Sequence, residues 1–349
     1  MKMHVFNPEH DLALAANLSN FTAPHAGRQL RTDLGFIPAL WAQGDDVVLV
    51  ENTEEAERRF RLLVHRACKR FVTKEQLGGL PISGVEVWGW DLAIRSFLIR
   101  YGVDVKILPS ESEIEQIRML SHRQFAQNVL GCLRGEGLVG EAYMTDSIAQ
   151  IHEAIERYGT VVVKAPWSSS GRGVRFLNSN IKRYDEGWAS RVIEKQGAIM
   201  LEPYYNKVKD FGMEFESDGR GQVSYLGLSL FHTSNGAYQG NILADEDEKQ
   251  ELLSRYVPAD ILHDIQQKIT ALTGSLLRDQ YRGPFGVDMM VVARDDQQGF
   301  LLHPCVEINL RRTMGHVALA LTPWVKGLPK VMNIEYNTNI YKMKVKRLG

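Results

Sequence analysis

Cysteine is scarce and scattered. Cys68, Cys132 and Cys305 are the only three in 349 residues, and their separations offer neither a disulfide framework nor paired metal-ligand spacing. A reducing compartment suits such a chain, and the cytoplasm is the expected location. An excess of one charge is also missing. Lys and Arg number 41 against 42 Asp and Glu, a formal net charge of -1, so no global field recruits nucleic acid or an anionic membrane, and neither is expected as a partner. Long apolar runs are absent too. The start, MKMHVFNPEHDLALAANL, puts Glu9, His10 and Asp11 where a signal peptide needs its apolar region, and no later stretch approaches a membrane span.

What is present is an ordinary globular composition, 44% hydrophobic, enough for a large core divided over two or three domains. Strands and helices interleave without internal repeats, which predicts α/β layers. MHVFN, DVVLVE and KRFVT read as short buried strands, and DLAIRSFLIRYG as a helix following VEVWGW. Together they predict a small parallel-sheet domain over residues 1–110. In TDSIAQIHEAIERYG, Ile148, Ile151, Ile155 and Tyr158 share a helical face, with Thr145 or Asp146 as N-cap and Gly159 as the stop. A second helix should bury Ile261, Ile265, Ile269, Leu272 and Leu276. FGVDMMVVARD and FLLHPCVEINL read as a hairpin turning around Asp295, Asp296 and Gly299. The tail YKMKVKR alternates lysines with apolar residues, as a protected edge strand does.

One stretch raises a chemical question. VVVKAPWSSSGRGV, from Val161 to Val174, is a buried-looking strand ending in Lys164, followed by a loop of serines and glycines. A Walker A loop needs its lysine after the glycines, and a dinucleotide fingerprint needs GxGxxG opening a helix; this segment does neither, since Gly171-Arg172-Gly173 leads into the strand-like VRFL. A hairpin flap remains, whose backbone N–H groups and hydroxyls could fold over phosphate oxygens with a lysine beneath. An exposed lysine and a slack loop is the competing reading.

The far end of the chain adds an acidic counterpart. Asp288 in GVDMM and Glu307 and Asn309 in VEINLRR fall on the two strands of the predicted hairpin, the latter pair two apart and so on one face. Two carboxylates and an amide oxygen form a set that Mg²⁺ accepts, with water and phosphate completing its octahedron. Arg311, two further on, extends the same alternation. Solvated strand charges would explain an isolated acidic pair, but acid, acid, amide and arginine on neighbouring apolar strands are costly to bury without a cation.

With these pieces in order, residues 111–325 resemble the ATP-grasp superfamily of ATP-dependent carboxylate ligases. VVVKAPWSSSGRGV matches the lysine strand and glycine-rich flap, IMLEPY the adenine hinge, GVDMM the first metal strand and EINLRR the ExNxR strand. The resemblance implies an ATP-grasp fold, two α+β subdomains gripping ATP (residues 111–200 and 201–349), preceded by the α/β substrate domain. It implies that Lys164 binds the α- and β-phosphates and that Ser168, Ser169, Ser170, Gly171 and Gly173 form the flap. Glu202 would meet the adenine amino group, and Lys209 or Asp210 the ribose. Asp288, Glu307 and Asn309 would hold Mg²⁺, two ions in all, with Mn²⁺ as a substitute, and Arg311 would neutralise the γ-phosphate and an acyl phosphate. One position departs from the family pattern: the second phosphate-binding lysine is missing from SHRQFAQ, where Arg123 is the nearby cation.

The implied activity is ADP-forming ligation of a small acid to an amine, the amine being an amino acid or peptide-like acceptor. A phosphotransferase of the same fold and a nucleotide binder without catalysis are the competing readings, and a homodimer is among the assemblies allowed. Weaker substrate candidates are Arg28 and Arg31, spaced for one helical face, and His232, Asn235, Tyr238 and Asn241 in the polar stretch FHTSNGAYQGN. Asn7, Glu9, His10 and Asp11 follow the first strand, at the carboxyl end where open α/β sheets bind ligands, though a capped helix start explains them equally.

Overall fold

A computed structural model describes residues 1–66, 70–168, 173–234, 237–294 and 298–348. The chain forms two compact units: the first comprises Met1–Arg118, Gln239–Asp245 and Arg311–Gly349, the second Met119–Tyr238 and Glu246–Leu310. In chain order the first part contributes β1 (Lys2–Val5), α1 (His10–Ala16), α2 (His25–Leu34), β2 (Val47–Leu49), α3 (Thr53–Val64), β3 (Phe71–Val72), β4 (Gly84–Val87), α4 (Leu92–Arg100) and α5 (Glu111–Leu120). There follow α6 (Arg123–Cys132), β5 (Tyr143–Thr145), α7 (Ile148–Tyr158), β6 (Thr160–Lys164), β7 (Val174–Asn178), α8 (Arg183–Gln196), β8 (Ile199–Pro203), β9 (Lys207–Ser217) and β10 (Val223–Ser234). The remainder is β11 (Ala237–Leu243), α9 (Glu246–Ser254), α10 (Ala259–Leu276), β12 (Gly283–Ala293), β13 (Phe300–Asn309), α11 (Met314–Leu321), β14 (Lys330–Asn337) and β15 (Ile340–Arg347).

The first unit is built on a parallel sheet of order β3-β2-β1-β4. Its strands are apolar at consecutive positions because both faces are covered. Met3, Val47 and Leu49 pack with Ile94 and Leu98 of α4, whereas Val48 and Val50 pack with Leu34, Phe60, Val317 and Leu321. That second cluster also takes Leu243 from β11 and Met332 from β14. The segment after Arg311, which the sequence grouped with residues 201–349, therefore shares a core with the N-terminal sheet. β15 is the expected edge strand, and it forms a hairpin with β14, with Asn337 opposite Ile340 and positive φ at Thr338 and Asn339, the geometry a two-residue turn needs.

The second unit contains two antiparallel sheets, β5-β8-β6-β7 and β13-β12-β9-β10. In the first, Val161, Val163 and Leu201 pack against Ile151 and Ile155 of α7 and Ala189 of α8. In the second, Phe215 and Phe285 stack on adjacent strands, ring centroids 5.3 Å apart. Helix boundaries differ from the sequence reading in two places. Ser147 is the N-cap residue of α7, and Thr145 instead accepts the Ser147 backbone N–H with its hydroxyl. Along α10 the buried stripe is Leu262, Ile265, Ile269 and Thr273, while Leu276 is 40% exposed. Small residues turn that stripe: a Cβ on Gly274 would lie 2.7 Å from the Gly221 carbonyl oxygen, so the helix closes on the neighbouring turn there. The hairpin turn at Asp295 and Asp296 lies outside the described residues.

Leu243 is fully buried in the first unit's core. Leu243→Ala should lower stability by about 2–5 kcal/mol in denaturant unfolding, a loss that a peripheral connecting strand would not show.

Candidate active site

Lys164 is the last residue of β6 and, though charged, is only 7% exposed. It lies opposite Met200 on β8, which places Glu202 diagonally across the strand pair. Lys164 Nζ donates to Glu202 Oε2 at 2.6 Å, and both side chains are buried. Each charge compensates the desolvation of the other, an arrangement that tolerates loss of neither partner alone. The predicted phosphate lysine and hinge acid are thus brought together, and they are each other's partner.

Immediately beyond, the flap is pinched at its base. Ala165 N–H donates to the Gly173 carbonyl at 2.8 Å, and a Cβ on Gly173 would fall 2.4 Å from the Ser168 side chain, so no larger residue fits. Ser169, Ser170 and Gly171 lie outside the described residues. Arg123, the first residue of α6, anchors this base. One guanidinium nitrogen, Nη1, donates to the Ala165 carbonyl and to Ser168 Oγ, both at 2.8 Å, and Nη2 donates to Glu307 Oε1 at 2.8 Å. Arg123 therefore ties the start of the flap to the predicted metal strand.

The acidic cluster forms as the alternation predicts. Asp288 and Glu307 face each other across β12 and β13, and Asn309 Nδ2 donates to Asp288 Oδ2 at 3.1 Å. Gly212 pairs with Asp288 from the other side; a Cβ there would sit 3.5 Å from Asp288 Oδ1, so glycine keeps the space beside that oxygen open. The donor set fits a hard divalent cation: two carboxylates and an amide oxygen, all hard ligands. Among the described residues no group of three His, Cys, Asp or Glu could hold a metal ion by itself, so an ion here would draw its remaining ligands from water or phosphate.

Two further β13 residues, Cys305 and His303, are buried at and beyond a register shift in the β12–β13 pairing. Burial, with Asp288 next, pushes the Cys305 thiol up and keeps it neutral. His303 is 1% exposed, and among the described residues neither ring nitrogen has a hydrogen-bond partner. Burial and the nearby Lys164 lower its pKa to about 3. In the sequence His303 and Cys305 stand two apart on a strand without the second pair a zinc site needs; only the surrounding packing strips the histidine of partners.

β13 ends at Asn309, so the two-residue period does not carry to Arg311, which belongs to the first unit. There its Nε and Nη2 bind the two carboxylate oxygens of Asp11, each at 2.8 Å. Of the ribose candidates, Asp210 accepts from Lys207 Nζ at 2.5 Å, and burial lowers the pKa of Lys209. His232 is exposed on β10, its pKa lowered by desolvation and by Lys209, and burial raises the Tyr238 phenol. Asn241 is buried on β11 in the first unit, and Asn235 lies outside the described residues. Arg28 and Arg31 lie on α2, where Arg31 Nη1 donates to Glu9 Oε1 at 2.6 Å.

No protein-family model and no curated protein matches the sequence. Solved structures do. The fold resembles the biotin carboxylase domain of 2-oxoglutarate carboxylase from Hydrogenobacter thermophilus, a dimer crystallised with MgADP, ADP and bicarbonate. The TM-score is 0.54 at 13% identity, covering 96% of this chain and 75% of that one. N5-carboxyaminoimidazole synthetase from Staphylococcus aureus matches at a TM-score of 0.48 and 14% identity (97% and 83% covered), and D-cycloserine synthetase DcsG at 0.49 and 12% (93% and 98%). The chain has the ATP-grasp fold.

Two stability measurements check the burial argument. Lys164→Met should cost about 3–5 kcal/mol in denaturant unfolding, and Lys164→Met with Glu202→Met far less; equal costs would show that the two charges are not a buried pair. His303 has a folded pKa below its unfolded value, so its neutral form favours folding above pH 6.5, and that contribution is lost as pH falls toward 3. Between pH 7 and pH 5 this amounts to roughly 2 kcal/mol, and His303→Leu should flatten the stability profile over that range.

Proposed function

We propose that this chain is an ATP- and Mg²⁺-dependent, ADP-forming ligase that joins a small carboxylic acid to an amine. The observation that carries the reading is the meeting, inside one unit, of the Asp288, Glu307 and Asn309 set with Arg123 and the flap base. In support, the structural neighbour with TM-score 0.54 was crystallised with MgADP and bicarbonate, a nucleotide and a small oxyacid.

The chemistry sets the electrostatic task. A substrate carboxylate oxygen attacks the γ-phosphorus while the bond to the β–γ bridging oxygen breaks, giving an acyl phosphate and ADP. The amine nitrogen then attacks the acyl carbon, phosphate departs with the oxygen that bridged carbon and phosphorus, and the amine proton passes to solvent or base. Both partners of the first step are anions, so fixed cations must offset their repulsion. Lys164 and Arg123 supply N–H donors for phosphate oxygens, Arg311 a further guanidinium. Each of the three is held by an acid, Glu202, Glu307 and Asp11 respectively. A bound phosphate therefore competes with a carboxylate already in place. Mg²⁺ held by Asp288, Glu307 and Asn309 would supply charge neutralisation for phosphate oxygens. Glu202, with Lys209 or Asp210, remains the proposed boundary of the base and ribose.

With ATP, Mg²⁺ and pooled small acids, amines and amino acids, the protein should release ADP. Asp288→Asn and Glu307→Gln should each reduce Mg²⁺-dependent release by at least about 100-fold while the melting temperature stays close to that of the wild type. Release unaffected by both substitutions, or no ADP from any pool, overturns the reading.

A further inference from the structure

The first unit holds a cavity that the nucleotide chemistry does not use. It measures about 290 Å³ and lies at the carboxyl ends of β1 and β4. In the order β3-β2-β1-β4 the chain runs from β1 outward to β3 and then returns to β4 on the other side of β1. The sheet's direction of winding therefore reverses between β1 and β4, the crevice where open α/β sheets place ligands. Asn7 clamps this point: its Nδ2 donates to the Gly89 carbonyl at 2.8 Å and to Asp91 Oδ2 at 3.2 Å, and its Oδ1 accepts the Trp88 N–H at 3.1 Å. Asp91 also receives His10 Nδ1 at 3.1 Å and caps α4 through the Ile94 N–H at 2.8 Å. These groups are mutually satisfied and form a rigid wall.

Glu9 is different. Its side chain is 8% exposed, Oε1 receives Arg31, and Oε2 is buried with no partner among the described residues. Burial raises its pKa, against the opposing pull of Arg31. A buried carboxylate oxygen without a donor is an expensive feature, since it gives up hydration and receives no hydrogen bond in exchange. Glu9 lines the cavity together with Arg28, one helical turn before Arg31, and Arg100 at the end of α4. Neither Arg28 nor Arg100 has an ion-pair partner among the described residues. Phe21, Ile94 and Phe97 supply apolar surface between the charged groups.

We propose that this cavity binds a small zwitterion, an amino acid, whose protonated amine meets Glu9 Oε2 and whose carboxylate meets Arg28 and Arg100. The volume suits the assignment: at about 30 Å³ per water, it has room for about ten waters, or for a molecule of comparable size. A simple anion would leave Glu9 uncompensated, and a simple amine would leave the two guanidiniums so. As a substrate site of the proposed ligase the assignment rests on that reading; as a binding site it stands alone.

The test is therefore made without ATP or Mg²⁺. The full-length protein is titrated calorimetrically with the common amino acids, each beside its deaminated acid and its decarboxylated amine. At least one amino acid should bind, and both truncated counterparts should bind at least about tenfold more weakly. Glu9→Gln should weaken the amino acid about tenfold or more and leave its deaminated acid nearly unchanged, whereas Arg28→Gln should weaken both. Arg28 is exposed, so its variant tests the site even if Glu9→Gln fails to fold. Absence of amino-acid binding to the wild type, or binding indifferent to Arg28→Gln, overturns the assignment. Binding with these dependences but without ADP release would sink the ligase reading and leave the site; ADP release without amino-acid binding would do the reverse.

Discussion

Arg123 makes three hydrogen bonds that join separate parts of the second unit. Its guanidinium reaches the Ala165 carbonyl and Ser168 at the start of the flap and, from the opposite side of the fork, Glu307 on β13. A planar fork with five donors can hold two such directions rigidly, whereas a lysine ammonium is a point charge on a flexible stem. The arginine thereby fixes where the flap leaves the sheet relative to the acids at Asp288 and Glu307. Where the sequence resemblance calls for a lysine, the arginine retains the positive charge and adds a mechanical link between two sheets of one unit.

The same economy of charge extends across both units. Lys164 is neutralised by Glu202, Arg123 by Glu307, Arg311 by Asp11 and Arg31 by Glu9. Such pairs contribute little net stability when they are buried, because desolvation offsets most of the attraction. What they provide is a set of cations already oriented, each released by exchange of one anion for another. Glu9 stands apart because its pairing is half complete, with one oxygen held and one bare, which marks its cavity as a place still lacking a donor.

Much of this was readable from local pattern, and the reasons are physical. Lys164 at a strand end, the small-residue flap and the alternation of Glu307 with Asn309 are properties of a few consecutive residues, and period-2 side-chain geometry converts them directly into faces. Partnerships were not readable. Lys164 finds Glu202 across 38 residues, Arg123 finds Glu307 across 184, and Arg311 finds Asp11 across 300; no local spacing encodes such pairs. The strand itself ends two residues before Arg311, so period-2 geometry does not carry to that residue. The buried face of α10 was misplaced at its end because Gly274 sets the packing there by close approach, which a count of apolar residues does not register. Asn7 was readable only as part of a helix start or a ligand end, because its clamp with Asp91 needs β1 and β4 to be neighbours.

The central claim is that the site activates a carboxylate by phosphorylation. Its most direct measurement uses a carboxylate substrate labelled with ¹⁸O in both oxygens, under conditions where ATP is consumed, with the released phosphate analysed by mass. Ligation through an acyl phosphate must deliver one ¹⁸O atom to each phosphate formed. Unlabelled phosphate alongside a consumed acid would contradict the account.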